Sequence, residues 1–265
     1  MVRRAGYSQG EVCWVDLQTR DVAAAKSFYA AVFGWRFEDL PTPDGRSYSQ
    51  AFLDDDLITV IAPQTPDQES SGAPAHWNVY FAGDDARAIA EESAHAGGSV
   101  GFGPEEVGNY GTMVFLEPPG GGTTGVWQTG KHFGTARYSE PGSFAWAELL
   151  TPEPQAAVAF FQQLLGHEVT EYPQDDGGTY TTLSVDGREV AGIAPAPHDP
   201  EDVAEDGASL GWQVYFAVSS VAEAVLAAVA AGAEMLVQPE DVAEAGSIAT
   251  LKDPQGGVFS LLEAD

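Results

Sequence analysis

The chain has 265 residues, and 40 acidic side chains against 11 basic ones give it a formal net charge of −29. This balance excludes a nucleic-acid partner, because phosphate backbones are bound by basic surfaces, and it argues against an anionic membrane surface. No apolar run reaches the ~18–20 residues of a membrane-spanning helix, and no signal-peptide segment follows Arg3 and Arg4, so we expect a cytoplasmic protein.

The first part of the chain predicts a strand, a helix and three further strands. Residues 11–18 alternate between apolar and polar side chains, as a strand does. Asp21 is a suitable N-cap for the helix that follows, and Gly34 is a suitable glycine to end it. A turn is expected at residues 43–45. The three further strands are expected near residues 35–39, 47–53 and 57–62.

A second unit of the same kind follows. Residues 63–75 predict a polar loop rich in Pro, Ser and Gly. Residues 77–82 predict a strand, and residues 84–96 predict an alanine-rich helix that ends before two glycines. Three more strands are expected near residues 99–107, 111–116 and 125–128.

The chain then repeats itself. A shift of 132 residues carries Trp14–Val15–Asp16–Leu17 onto Trp146–Ala147–Glu148–Leu149. A shift of 135 residues carries Trp77–Asn78–Val79–Tyr80–Phe81 onto Trp212–Gln213–Val214–Tyr215–Phe216. Because the shift changes by only three residues over a whole unit, the chain holds two copies of one domain. We predict domains at residues 1–130 and 143–265, joined by a linker at residues 131–142.

Strand alternation places polar and aromatic side chains on the sheet face away from the helices. An amide beside a tyrosine on this face, in both copies, is typical of the lining of a ligand cavity. In the first copy the candidate ligand-binding residues are Trp14, Asn78, Tyr80 and Trp127. In the second copy they are Trp146, Gln213, Tyr215 and Ser260.

Each copy also has a carboxylate on this face, Asp16 in the first and Glu148 in the second. A carboxylate in a cavity costs free energy unless it is hydrogen-bonded, paired or hydrated. In a structural interpretation, both side chains bond to backbone N–H groups or to an arginine. In a functional interpretation, burial raises their pKa values and makes them catalytic acids or bases, or they anchor a cationic group of a ligand.

Two stretches of the sequence resemble those of a known superfamily. The string Asp21…Ala25…Phe28–Tyr29…Gly34–Trp35 and the later Asp253–Pro254–Gln255–Gly256 are similar to the vicinal oxygen chelate superfamily of glyoxalases, bleomycin resistance proteins and extradiol dioxygenases. Within it, the chain looks most like the tandem glyoxalase-like proteins of actinobacteria. The resemblance implies an α+β fold of two tandem glyoxalase-like domains, each with two βαβββ units that form a curved sheet around a cavity. The first copy departs at Pro118, where the superfamily has an aspartate.

The resemblance also implies where a metal ion would bind. Metal enzymes of this superfamily place His or Glu at three strand positions in each domain. Aligned on the helix-capping aspartate and the Asp–Pro–x–Gly glycine, those positions are Trp14, Asn78 and Gly125 in the first copy and Trp146, Gln213 and Ser260 in the second. None of the six is a His, Glu, Asp or Cys, whereas a catalytic metal site usually has three protein ligands. We therefore expect no metal ion and no cofactor.

The histidines and the cysteine offer no other reactive site. No two histidines have the spacing of a metal-binding motif. The five histidines are His76, His95, His132, His167 and His198. Strand alternation places Cys13 on the helix-covered face, where we expect a buried thiol and not a nucleophile.

Three functions remain open. The first is a metal-independent small-molecule binding protein of the glyoxalase/bleomycin-resistance type, which acts on or sequesters an aromatic or cationic secondary metabolite or drug. The second is a metal-free lyase, isomerase or cyclase that uses Asp16 or Glu148 as acid or base. The third is a metal-dependent dioxygenase or glyoxalase. We expect a monomer or homodimer, and the sequence does not indicate which domain acts.

Overall fold

A computed structural model describes residues 3–41, 47–174, 178–196, 210–242 and 246–263 of the protein. The turn predicted at residues 43–45 and His198 lie outside these residues.

The strands of the first domain are β1 (Val12–Thr19), β2 (Arg36–Pro41), β3 (Ser47–Leu53), β4 (Asp56–Pro63), β5 (His76–Ala82), β6 (Ser99–Val107), β7 (Gly111–Glu117) and β8 (Thr124–Thr129). Its helices are α1 (Val22–Phe33), α2 (Pro66–Ser71) and α3 (Ala86–Ser93).

The second domain repeats this order of elements. Its strands are β9 (Phe144–Thr151), β10 (Glu168–Pro173), β11 (Thr179–Val185), β12 (Arg188–Pro195), β13 (Gly211–Val218), β14 (Glu234–Val242), β15 (Gly246–Lys252) and β16 (Val258–Glu263). The helices described in it are α4 (Pro154–Leu165) and α5 (Val221–Ala230). Among the described residues, no helix is long and apolar enough to cross a bilayer.

Each domain forms one eight-stranded sheet, and the two sheets have the same topology. The strand orders are β2-β3-β4-β1-β5-β8-β7-β6 and β10-β11-β12-β9-β13-β16-β15-β14. In each sheet, the first strands of the two βαβββ units lie side by side and antiparallel at the centre, as β1 with β5 and β9 with β13. This arrangement confirms the predicted α+β fold of two tandem domains.

Helix ends follow the capping residues of the sequence. The Asp21 side chain accepts a hydrogen bond of 2.9 Å from the Ala24 N–H at the start of α1, and Gly34 ends the helix with a left-handed backbone. The prediction of a loop over residues 63–75 is wrong in part, since α2 lies within it. Thr65 and Gln68 form a capping box there, and such reciprocal bonds stabilise even a short helix.

The helix-covered faces of the two sheets share one apolar core. Large side chains of β5 and β13 meet across the domain boundary: the ring centroids of Trp77 and Phe216 lie 4.9 Å apart, and those of Phe81 and Trp212 lie 5.5 Å apart. Burying one such side chain contributes roughly 1.5–3 kcal/mol, so this core joins the domains. The opposite face of each sheet, the outward face, points away from this core.

Two hydrogen bonds related by the repeat also join the domains. The Trp35 indole donates to the Gly142 carbonyl oxygen at 2.7 Å. His167, which takes the place of Trp35 in the second copy, lies 2.7 Å from the carbonyl oxygen of Gly10 through its Nε2. Its Nδ1 lies 3.2 Å from the carbonyl oxygen of Phe161. Because both carbonyl oxygens can only accept, the neutral ring, which has one N–H, can donate to one of them at a time.

Candidate functional site

The Asp16 carboxyl group in the first domain is held by two side chains of the adjacent strand. Its Oδ1 accepts a hydrogen bond from Asn78 Nδ2, and its Oδ2 accepts one from Tyr80 Oη, both at 2.8 Å. Burial raises the pKa of Asp16, and the two hydrogen bonds partly oppose this rise. The partners of Asp16 are therefore side chains of β5, and not the backbone N–H groups or arginine of the structural interpretation.

Aromatic side chains fill the outward face of the first sheet. Trp14 and Trp127 are each 8 % exposed and Tyr80 is 4 % exposed. The His132 ring lies against both indoles, with centroid distances of 4.4 Å to Trp14 and 5.7 Å to Trp127. Burial lowers the pKa of His132 to about 4, so this ring is neutral near pH 7. The protein's own side chains thus cover most of the aromatic surface of this face.

Gly125 leaves room for the Tyr80 ring in this packing. The two residues are neighbours in the register of β5 and β8. A Cβ atom at Gly125 would lie 2.7 Å from Cγ and Cε1 of Tyr80, well inside van der Waals contact. The position that would provide a metal ligand in this domain is therefore covered by a tyrosine ring.

The structure corrects the placement of Cys13. Its buried side chain packs in the same cluster as Trp14, Tyr80 and Trp127, and not on the helix-covered face. The pairing of β1 with β5 is irregular between Val12 and Trp14, and such a bulge shifts the alternation by one residue. Burial raises the pKa of the Cys13 thiol, so it is not a reactive thiolate.

The outward face of the second sheet is more open. Trp146, Glu148, Tyr180 and Tyr215 are all partly exposed. Burial raises the pKa of Glu148 to about 7, and hydrogen bonds from Tyr180 and Tyr215 oppose the rise. The Trp146 indole donates to the Tyr180 hydroxyl at 3.0 Å. A chain of hydrogen bonds therefore runs from Trp146 through Tyr180 to Glu148.

A buried polar cluster lies beside this chain. The Gln213 amide donates to Ser260 Oγ at 2.6 Å and to Thr250 Oγ1 at 3.1 Å. The two hydroxyl groups are 2.8 Å apart, and Ser260 also hydrogen bonds with Tyr215. Gln213 is paired with Glu148 in the register of β13 and β9. The second-domain candidates thus lie together on one face.

Sequence reasoning missed Tyr180 and the role of His132. The repeat aligns Tyr180 with Tyr48, but alignment does not reveal that Tyr180 reaches the Glu148 carboxyl group. His132 lies in the predicted linker, and no pattern in the sequence indicates that this segment folds against Trp14.

Comparison with known proteins identifies the superfamily. A family model described as "Glyoxalase/Bleomycin resistance protein/Dioxygenase superfamily" matches residues 12–123, and one described as "Glyoxalase-like domain" matches residues 146–262. "Putative glyoxylase CFP32" of Mycobacterium tuberculosis is 37 % identical over 264 residues, which cover 99 % of this chain and 98 % of that protein. The chain belongs to the glyoxalase/bleomycin resistance protein/dioxygenase superfamily.

A second relative and two solved structures are also similar to most of the chain. "Anthracycline biosynthesis protein DnrV" of Streptomyces peucetius is 32 % identical over 277 residues, covering 97 % of this chain and 94 % of that protein. The fold resembles that of a Mn(II)-bound glyoxalase from Novosphingobium aromaticivorans, with a TM-score of 0.65, 18 % identity and coverage of 97 % and 82 %. It also resembles the 2,3-dioxygenase LapB from Pseudomonas sp. KL28, with a TM-score of 0.67, 14 % identity and coverage of 98 % and 94 %.

The residues of this superfamily member do not fit a metal ion at the expected positions. A catalytic metal ion needs about three protein ligands that converge. In the second domain, the Gln213 amide donates a hydrogen bond to the Ser260 hydroxyl, and the Trp146 side chain has no atom that can bind a metal ion. Throughout the part of the chain that the structure describes, no three His, Cys, Asp or Glu side chains are grouped as a metal ion would require.

Proposed function

We propose that the second domain binds a small organic molecule on its outward face without a metal ion. The observation that carries this proposal is the Glu148 carboxyl group, which is buried among the partly exposed aromatic residues Trp146, Tyr180 and Tyr215. Aromatic and other apolar side chains with a few fixed polar groups are the usual lining of a ligand site.

The contrast between the domains supports the choice of the second one. In the first domain, the His132 ring covers the indoles of Trp14 and Trp127, which are each 8 % exposed. In the second domain, the equivalent indole of Trp146 is partly exposed. A ligand can therefore contact the second face without displacing buried protein side chains.

The chemistry of the face favours an aromatic ligand that carries a cationic group. Aromatic rings attract a cation by ~0.5–2 kcal/mol each, and Glu148 supplies a carboxylate at the same place. The net charge of −29 also draws cations to the protein surface. Because one relative is named for anthracycline biosynthesis, we take polycyclic secondary metabolites as the ligand class.

Titration of the intrinsic tryptophan fluorescence tests this proposal. The probes are two matched pairs: proflavine with the neutral acridone, and an anthracycline that carries its amino sugar with the same anthracycline lacking it. We expect saturable binding that is tighter for the cationic member of each pair, and that persists after dialysis against a chelator. Binding that disappears with the chelator and returns with a divalent metal ion would overturn the metal-free part of the proposal.

Matched variants of the two domains locate the site. Glu148→Gln and Trp146→Phe should weaken binding about ten-fold or more, equivalent to about 1.4 kcal/mol. Asp16→Asn and Trp14→Phe are the counterparts in the first domain and should leave the affinity unchanged. If the first-domain variants alone reduce the affinity, the assignment to the second domain is wrong.

The raised pKa of Glu148 favours a second candidate function, a metal-free lyase, isomerase or cyclase. A carboxyl group with a pKa of about 7 is suited to general acid–base catalysis near neutral pH. Once Glu148 holds a proton, it no longer needs the single O–H of Tyr215 at the same carboxyl group, and that O–H can then donate a hydrogen bond to a developing oxyanion. In this case Glu148→Gln abolishes turnover while the ligand still binds, and the rate changes with an apparent pKa of about 7. A full rate in Glu148→Gln would exclude this mechanism.

A further inference from the structure

The Tyr180 side chain reaches Glu148 across an intervening strand. Tyr180 lies on β11 and Glu148 on β9, and β12 lies between these strands in the sheet. Neighbouring strands are about 4.8 Å apart. The Tyr180 hydroxyl accepts the 3.0 Å hydrogen bond of the Trp146 indole on β9, so the phenol group must pass over β12, and this places its hydroxyl at the Glu148 carboxyl group.

Gly192 is the residue of β12 at this crossing. Its Cα atom is paired with that of Glu148 in the register of the two strands. A Cβ atom at Gly192 would overlap the Tyr180 hydroxyl and lie 2.5 Å from Cζ of the same ring. Gly192 is not one of the glycines with a positive φ, so its backbone accepts other residues. The obstacle to a side chain here is the Tyr180 ring.

The first domain has a valine at the equivalent place. Val60 of β4 is paired with Asp16, as Gly192 is with Glu148. Asp16 takes its hydrogen bonds from the other side, from Asn78 and Tyr80 of β5. The equivalent tyrosines Tyr80 and Tyr215 contact the carboxyl group in both domains, whereas Tyr180 is an added partner of Glu148 that comes from beyond β12.

We infer that Gly192 is a positioning residue, which lets Tyr180 cross β12 and so builds the hydrogen-bonded chain from Trp146 to Glu148 that marks the second domain. The inference deepens the proposed function and rests on it for the claim that this chain contacts the ligand. A β-branched side chain at residue 192 closes the path over the strand, because Cβ and its methyl groups take the space of the phenol ring.

The variant Gly192→Val, which copies the first domain, tests the inference, and Val60→Gly is its matched control. Two readouts need no ligand: the proton resonance of the Trp146 indole N–H, and the titration of Glu148 followed by carboxyl carbon NMR. In Gly192→Val we expect the indole resonance to move upfield as its hydrogen bond is lost. Glu148 should titrate at higher pH, since a donor to its charged form is removed. Proflavine should bind about ten-fold more weakly. Val60→Gly should leave all three unchanged.

A double-variant cycle covers the case in which Gly192→Val folds poorly. In the Tyr180→Ala background the ring is absent, so adding Gly192→Val should cost less stability than it does in the parent protein. Equal costs in both backgrounds would overturn the inference, as would an unchanged indole resonance and Glu148 titration in Gly192→Val. If both resonances move while proflavine binding stays the same, the positioning role holds and the proposed ligand site fails.

Discussion

The Tyr29 hydroxyl donates a hydrogen bond of 2.9 Å to Asp253 Oδ2 across the domain boundary. Tyr29 belongs to α1 of the first domain, and Asp253 begins the Asp–Pro–Gln–Gly turn of the second. The positions equivalent by the repeat are Phe161 and Pro118, which cannot form such a bond. This polar contact thus breaks the pseudo-twofold relationship between the two domains.

Removing the Tyr29 hydroxyl should weaken the joint between the domains. Tyr29→Phe leaves Asp253 Oδ2 without this donor and the Trp77 indole without its acceptor at 3.2 Å. Because both residues are buried, we expect a loss of ~1–3 kcal/mol in the free energy of unfolding, measured by urea denaturation. Combining Tyr29→Phe with Asp253→Asn should cost less than the sum of the single effects; strict additivity would show that the two groups are not coupled.

Glu148 should destabilise the protein as the pH rises. Its folded-state pKa of about 7 lies above its ordinary value of 4.5. The folded state therefore holds the proton more tightly, and this contribution is complete below the ordinary value and lost as the pH rises through about 7. The stability of Glu148→Gln relative to the parent should increase over that window and then level off. Thermal unfolding from about pH 4 to pH 8 measures this, with the exposed Glu171→Gln as the control. A flat difference would contradict the prediction.

The buried His167 side chain should make the protein less stable as the pH falls, which is the opposite of the effect of Glu148. Burial lowers its pKa in the folded state, although the carbonyl oxygens of Gly10 and Phe161 oppose this. The unfolded chain then binds the proton more readily, so stability is lost as the pH falls below the ordinary value of about 6.5. His167→Phe removes the bond to Gly10 and should destabilise by ~0.5–1.5 kcal/mol near pH 8. Toward pH 5 the difference in the free energy of unfolding between the variant and the parent protein should become smaller. A larger difference at pH 5 than at pH 8 would contradict this prediction.

Gly125 and Ser260 occupy equivalent positions but should respond differently to alanine. Gly125→Ala places a Cβ atom against the Tyr80 ring, and such overpacking typically costs ~1–3 kcal/mol. Displacing the ring should also break the bond between Tyr80 and Asp16 and red-shift the fluorescence of Trp14 as water enters. Ser260→Ala removes one hydroxyl and keeps the local volume, so we expect less backbone rearrangement. The amide NMR spectra of the two variants compare the extent of the change, and a larger disturbance in Ser260→Ala would contradict this account.

The sequence by itself determined the two tandem domains, most of their elements and their superfamily. The spacing of Trp14 and Trp146 revealed the repeat, and Asp21 and Gly34 marked α1, because hydrophobic period and capping are local properties of the chain. The sequence also placed Asp16 and Glu148 on the outward faces, since alternation along a strand decides which side a residue takes.

Tertiary structure alone decided how the two faces differ. Whether a tyrosine reaches a carboxyl group depends on the strand between them, which here presents Gly192 in one domain and Val60 in the other. The bulge beside Cys13 and the packing of His132 on Trp14 likewise arise from contacts between distant segments. Such contacts depend on side-chain volume and distance across the folded sheet, and neither is encoded in the local period of the sequence.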